Sequence, residues 1–165
     1  LQISGSRQLS NVEFLLADAS TASFEEDARP DIVVALHACG ALSDVALSLA
    51  AKNGSAFCIC TCCFRANRNL QVGGGSAAAW LGVPATTLDA LAFASELQDD
   101  ANTSRSAMHT LSALRAEAVL RHWLLSAAQV ERRKSLEVVD VQVECFSEAF
   151  SGCNFCITGT LASSS

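Results

Sequence analysis

The sequence predicts an α/β domain, the C-terminal part of a doubly wound, Rossmann-like sheet that ends in an antiparallel hairpin. Three observations carry this. Residues 31–60 read as strand, helix, strand in about 30 residues, the usual size of a parallel βαβ crossover. A long helical segment follows. Residues 139–145 then switch to a period of two, the pattern of a half-buried strand. Composition agrees: half of the 165 residues are hydrophobic and 17% are charged, below the usual share of about 25%. That is the balance of a buried core, and the length suits one domain.

Residues 11–17 (NVEFLLA) read as the first strand, ending at Asp18-Ala19-Ser20. Ser23 to Asp27 is polar and acidic and reads as a short helix or loop. Pro30 disfavours helix before it. Ile32 to Leu36 is then a continuous apolar, β-branched run, as expected of a strand buried on both faces. Ser43 is the expected N-cap of the next helix, with Asp44 in its first turn. Gly54 is the expected left-handed stop after Asn53. Ala56 to Cys60 is the second strand of the crossover, and a right-handed connection makes the two strands parallel.

Val72-Gly73-Gly74-Gly75-Ser76 reads as a flexible linker, since neither a good strand before it nor a Lys-Ser/Thr pair after it supports a phosphate loop. Thr86 and Asp89 suggest a capping box opening a helix to about Leu97. After a turn at Asp99–Thr103, a long helix is expected from Ser104 to Arg133, with Leu111, Leu114, Ala118 and Leu125 on one face. Val139, Val141, Val143 and Cys145 then alternate with Asp140, Gln142 and Glu144. After a loop at Ser147–Cys153, Asn154 to Leu161 is the last strand. So short a connection implies an antiparallel pair. Residues 163–165 are expected to be a mobile tail.

The net charge of −6 gives no long-range attraction for nucleic acid, and DNA binding is not expected. Arg132-Arg133-Lys134 reads as a solvated helix end. No span is long and apolar enough to suggest a membrane helix, and no signal peptide is legible. Eight cysteines in such a chain read as reduced thiols, which points to the cytoplasm.

The chemistry concentrates in the two loops that follow the strands of the crossover, at the strand ends where open α/β sheets bind ligands. They are His37-Ala38-Cys39-Gly40 and Thr61-Cys62-Cys63-Phe64. The segment Leu36-His37-Ala38-Cys39-Gly40-Ala41-Leu42-Ser43-Asp44, followed by Cys62-Cys63, resembles a class I S-adenosylmethionine-dependent methyltransferase family. That family is also found at the C-terminus of glutathione S-transferase C-terminal-domain-containing proteins, and shows Leu-His-x-Cys-Gly-x-x-x-Asp and later Pro-Cys-Cys. A related segment occurs in a tRNA 2′-O-methyltransferase family. NVEFLLADAS, RSAMHTLSALRAEAV and ECFSEAFSGCNFCITG extend the similarity over most of the chain. Thr61 stands where the family has Pro.

The resemblance implies a fold, a cofactor and roles. The cofactor is S-adenosylmethionine, and the methyl acceptor is an unassigned small molecule, protein or RNA. Residues 1–162 would be a partial methyltransferase-like domain, since the glycine-rich loop and the first two strands of that fold have no counterpart here. Residues 31–64 would supply its fourth and fifth strands. Asp18 would accept from the adenine amino group with Ala19 beside the ring, or Asp18 simply turns the chain. Leu36 and His37 would border the methyl-transfer point. His37 would act as a general base, its reference pKa being about 6.5, or hold the loop as a structural imidazole. Cys62 and Cys63 are candidate catalytic thiols that need a lowered pKa to act. His37, Cys39, Cys62 and Cys63 supply four nitrogen and sulfur donors, but the spacing is unusual for zinc, and no metal is assigned. Cys153-x-x-Cys156 has knuckle spacing without a second pair.

Two further readings stay open. One is a non-catalytic interaction module with this fold, and the other is a thiol or metal protein built on the cysteines.

Overall fold

The computed structural model describes residues 12, 14–25, 28–129, 136–149 and 151–163. The chain forms β1 (Ile32–Ala38), α1 (Ala41–Asn53), β2 (Ala56–Thr61), β3 (Gln71–Val72), β4 (Gly75–Ser76), α2 (Ala77–Leu81), α3 (Ala85–Ala94), α4 (Ala101–Gln129), β5 (Leu136–Cys145) and β6 (Phe155–Ser163). The main sheet has the order β1-β2-β6-β5. β1 and β2 are parallel, as the crossover predicts. β6 is antiparallel to both its neighbours, so the closing hairpin is present and the fold is mixed α/β.

The helices pack on one face of this sheet. Val33, Ala35, Phe57, Ile59, Ile157 and Val141 point into a core shared with Leu47 and Ala50 of α1, Trp80 and Leu81 of α2, and Ala118, Val119 and Trp123 of α4. Burying side chains such as Leu47, Ile59 and Ile157 contributes roughly 1.5–3 kcal/mol each. A smaller cluster of Phe64, Ala92, Met108, Leu111 and Phe155 lies beside it. Gly159 faces Phe57 across the ladder, and a Cβ there would lie 2.3 Å from the ring. The opposite face of the sheet is bare among the described residues: Ile32, Val34 and Leu36 are 55%, 66% and 72% exposed. A doubly wound sheet carries helices on both faces; this one is covered on one.

Local signals explain the ends of the crossover helix. Gly54 adopts the left-handed conformation (φ 67°, ψ 39°), the stop its sequence predicts. The start differs from expectation. Gly40, with φ 58°, is the N-cap, and Ser43 sits inside the first turn, its hydroxyl donating to the Ala38 carbonyl. The backbone turns one step earlier because Gly40 alone tolerates that conformation.

Other expectations are corrected. Residues 14–18 form no strand. Phe14 and Leu16 are solvent-exposed, because no described strand offers them a ladder; Asn11 and Glu13 lie outside the described residues, as do Glu26 and Asp27. The glycine run is no linker. It is the tight turn of the β3–β4 hairpin, with Gly73 at φ 58° and Gly74 at φ 86°, the two positive values a type I′ turn requires. Ser76 then caps α2, accepting from the Ala79 amide at 3.2 Å. At α3, Pro84 holds the N-cap position and no side chain caps the helix; Asp89 pairs with Arg68 instead of closing a capping box.

Asp100 begins α4, accepting from the Thr103 amide at 3.0 Å and its hydroxyl at 2.6 Å. These bonds lower its pKa. α4 runs unbroken to Gln129; Arg132, Arg133 and Lys134 lie outside the described residues. Its buried face is Ala107, Met108, Leu111, Arg115, Ala118, Val119 and Trp123, while Leu125 is 58% exposed. Leu125 fails the expected face because it lies two positions beyond Trp123, off the i, i+3, i+4 progression. In β5, Asp140, Gln142 and Glu144 face outward while Val141 and Val143 meet the core; the side chain of Val139 is not among those described. Ser163 belongs to β6, paired with Leu136, not to a tail.

Candidate functional site

β1 does not end smoothly. Its register with β2 pairs Leu36 with Cys60 and Ala38 with Thr61, so His37 is left without a partner. His37 has φ 57°, a conformation uncommon outside glycine. This is a bulge, the device that re-aims a side chain at a strand end. The exposed imidazole of His37 therefore stands free at the carboxyl end of β1, beside the exposed Leu36.

The two loops are fastened to each other. The Gly40 amide donates to the Cys63 carbonyl at 2.6 Å, and the Ala41 amide to the Ala66 carbonyl at 3.3 Å. Asn67 Nδ2 donates to the Cys39 carbonyl at 3.0 Å. The approach leaves no room for a side chain: a Cβ on Gly40 would lie 1.7 Å from the Ala66 carbonyl oxygen. The second loop is held from its far side by Glu96, whose Oε1 accepts from the Phe64 and Arg65 amides at 3.2 and 3.0 Å.

Beneath the loops lies a buried ion pair. Arg115 Nε and Nη2 donate to the two carboxylate oxygens of Asp44 at 2.9 and 3.1 Å. The side chains are 3% and 2% exposed. The same Nη2 donates to the Gly40 carbonyl at 2.8 Å, and the guanidinium lies 5.2 Å from the centre of the Phe64 ring. One cation thus holds the first turn of α1, the first loop and the second loop. Arg115 was not singled out in the sequence. The available signal is that it falls on the apolar face of α4, between Leu111 and Ala118, where an arginine needs a buried partner.

The folding of both loops brings three thiols together. The sulfur atoms of Cys39, Cys62 and Cys63 all lie within 4.8 Å of one another. Hydrogen bonding from Cys63 lowers the pKa of the Cys39 thiol. Burial, with the neighbouring Cys39, pushes Cys62 up to about 11, and Cys63 moves the same way for the same reasons. The two thiols singled out from sequence are therefore protonated at neutral pH, and Cys39 is the more acidic member. His37 does not join this trio. Cys153, raised mainly by burial, is near enough for the charge of Cys39 to bear on it and for its own to bear on Cys62. Cys156 is elsewhere: it lies 3.1 Å from Cys60 and 3.6 Å from Cys58, sulfur to sulfur, on the main sheet. The Cys153-x-x-Cys156 pair is thus divided between two clusters.

Asp18 and Ala19 are placed apart from this site. Asp18 Oδ1 accepts from the Ser20 amide and hydroxyl at 2.9 and 2.7 Å, an Asx turn that lowers its pKa. Ala19 borders a pocket of about 310 Å³ on the helical side, formed with Ser48 and Lys52 of α1, the Gly73-Gly74 turn, Trp80 and His122. His122 stacks on Trp80 with ring centres 3.9 Å apart, and burial lowers its pKa. The structure brings Leu36, His37, Cys62 and Cys63 to one sheet edge and does not bring Asp18 and Ala19 to them.

Two outcomes test this arrangement. Breaking the buried pair leaves an uncompensated charge, so Arg115→Met or Asp44→Leu each lowers stability by about 3–5 kcal/mol. Urea titration of the Asp44→Leu/Arg115→Met double variant recovers most of that loss, through a large positive coupling. In metal-free protein, alkylation followed by peptide mass spectrometry finds Cys39 modified at lower pH than Cys62, whose labelling rises only as pH nears 11.

Among the described residues no helix is long and apolar enough to cross a membrane. In comparison with known proteins, residues 3–69 match a family described as a methyltransferase domain. No curated protein and no solved structure matches the chain. The matched segment contains β1, α1, β2 and both loops, so the similarity falls on this edge of the molecule.

Proposed function

We propose that the chain forms the acceptor-facing part of an S-adenosylmethionine-dependent methyltransferase. The observation that carries this reading is the match of residues 3–69 to a methyltransferase domain, which covers both loops at the carboxyl ends of parallel strands. Ligands of open α/β sheets bind at such ends. The bulge at His37 supports it, since it turns a titratable side chain into the space beyond β1. Methyl transfer depends mostly on positioning, and the fastened loops hold Leu36 and His37 where an acceptor would approach. His37 would take the proton of an acceptor that carries one.

The described residues do not make a cradle for the donor. Gly40, the one glycine within the two loops, has its open side filled by the Ala66 carbonyl, leaving no gap for a nucleotide. Ala19 rests on the helical side, and Asp18 is engaged in its own turn with Ser20. A donor site that used them would need residues 14–19 drawn to the edge of β1 that is unpaired among the described residues. No transfer step is therefore derived from these residues.

The module reading has its own observation. Ile32, Val34 and Leu36 make an exposed apolar strip along a strand whose outer edge is unpaired among the described residues, and such edges favour association.

Titration calorimetry with S-adenosylmethionine gives binding weaker than micromolar; a micromolar dissociation constant contradicts the account of the missing cradle. Ultraviolet cross-linking of radiolabelled S-adenosylmethionine at millimolar concentration places label in the peptide containing Leu36 to Cys39, and S-adenosylhomocysteine competes it away. Absence of competed label there overturns the methyltransferase reading, and concentration-dependent self-association in the same sample favours the interaction module.

A further inference from the structure

We propose that Cys39, Cys62 and Cys63 form a binding site for one thiophilic divalent cation, of which zinc is the natural test. This goes beyond the methyltransferase reading and does not rest on it. Adjacent cysteines and a distant H-x-C segment look unpromising in one dimension. In three dimensions the bulge at His37 and the turn after β2 carry all three sulfurs to within 4.8 Å of one another. Tetrahedral zinc–thiolate bonds of about 2.3 Å put ligand sulfurs about 3.8 Å apart. The trio needs a contraction of about 1 Å at most, within the reach of cysteine side-chain rotations.

The site is built, not accidental. The backbone under it is fixed by the Gly40 amide to the Cys63 carbonyl, the Asn67 side chain to the Cys39 carbonyl, and the Arg115 guanidinium to the Gly40 carbonyl. All three cysteines are partly accessible, so a cation has an entry path. Three protein ligands leave the fourth position for solvent or for a fourth side chain. Cys153 is the neighbouring thiol, packed against the Phe64–Phe155 cluster that adjoins Cys63.

The second trio, Cys58, Cys60 and Cys156, is equally compact but differently held. Its sulfurs project from paired positions of β2 and β6, with no loop to adjust around an ion, and Cys156 is only 8% exposed. It therefore serves as the internal control.

Binding exchanges thiol protons for metal–sulfur bonds and releases those protons to solvent. The purified 165-residue chain, reduced and titrated with zinc, is expected to retain one equivalent after desalting, measured by plasma mass spectrometry, with proton release in weakly buffered solution. Cobalt in place of zinc is expected to give an intense thiolate-to-cobalt charge-transfer band and the visible bands of tetrahedral coordination. Cys39→Ser and Cys63→Ser each lower affinity at least tenfold and weaken the charge-transfer band. Cys58→Ser and Cys60→Ser leave both unchanged. Failure of the wild-type chain to retain a stoichiometric metal overturns the proposal. So does a cobalt spectrum that survives Cys39→Ser/Cys63→Ser or follows the Cys58 and Cys60 substitutions. The wild-type measurements decide even if a serine variant does not fold.

Discussion

The buried pair of Asp44 and Arg115 is the constraint on which the site depends. Its guanidinium closes a fork on the carboxylate and donates a further Nη2 bond to the Gly40 carbonyl. A buried pair of this kind adds little net stability over a hydrophobic equivalent, yet losing one partner is costly. Its consequence here is positional. α4, whose other buried residues are apolar or small, is fixed in rotation and height against the start of α1. The first loop cannot then leave the second, because Gly40 is bonded to Cys63 on one side and to Arg115 on the other.

From this follows the distribution of thiol chemistry. Cysteines at i, i+2 along β2 point to the bare face of the sheet, where Cys58 and Cys60 meet Cys156 from β6. Past Thr61, whose hydroxyl donates to the Phe155 carbonyl at 3.1 Å, the ladder stops and Cys62 and Cys63 turn toward Cys39. The same residue type thus has two environments a few positions apart. On the strand, spacing is dictated by the pleat. In the loops it is set by hydrogen bonds to glycine and asparagine, and a lowered Cys39 beside raised Cys62 and Cys63 results.

Much of this was legible where signals are local. Ile32 to Leu36, Gly54 and Ala56 to Cys60 specify the crossover because a β-branched run, a left-handed stop and a second apolar run agree with one another. The closing hairpin was legible from its period of two. The glycine run was misread because its flanking strands are two residues each, Gln71-Val72 and Gly75-Ser76, too short to show alternation. Thr86 and Asp89 looked like a cap because that motif ignores Pro84, which occupies the N-cap position itself. NVEFLLA has strand character, but a strand is a pairing, and its partner is not a property of those seven residues. The loops' importance could be read; the fork of Arg115, reaching across 71 positions, could not. Long-range pairing leaves in the sequence only an arginine on an apolar helix face.

Amide hydrogen exchange of the wild-type chain and of Arg115→Met tests the central claim most directly. If the ion pair fastens the two loops, the Gly40 and Ala41 amides lose protection in the variant by several orders of magnitude, while the β2–β6 amides between Phe57 and Cys60 exchange as before or follow only the global loss of stability. Unchanged protection at Gly40 and Ala41 in a folded Arg115→Met chain would contradict the account.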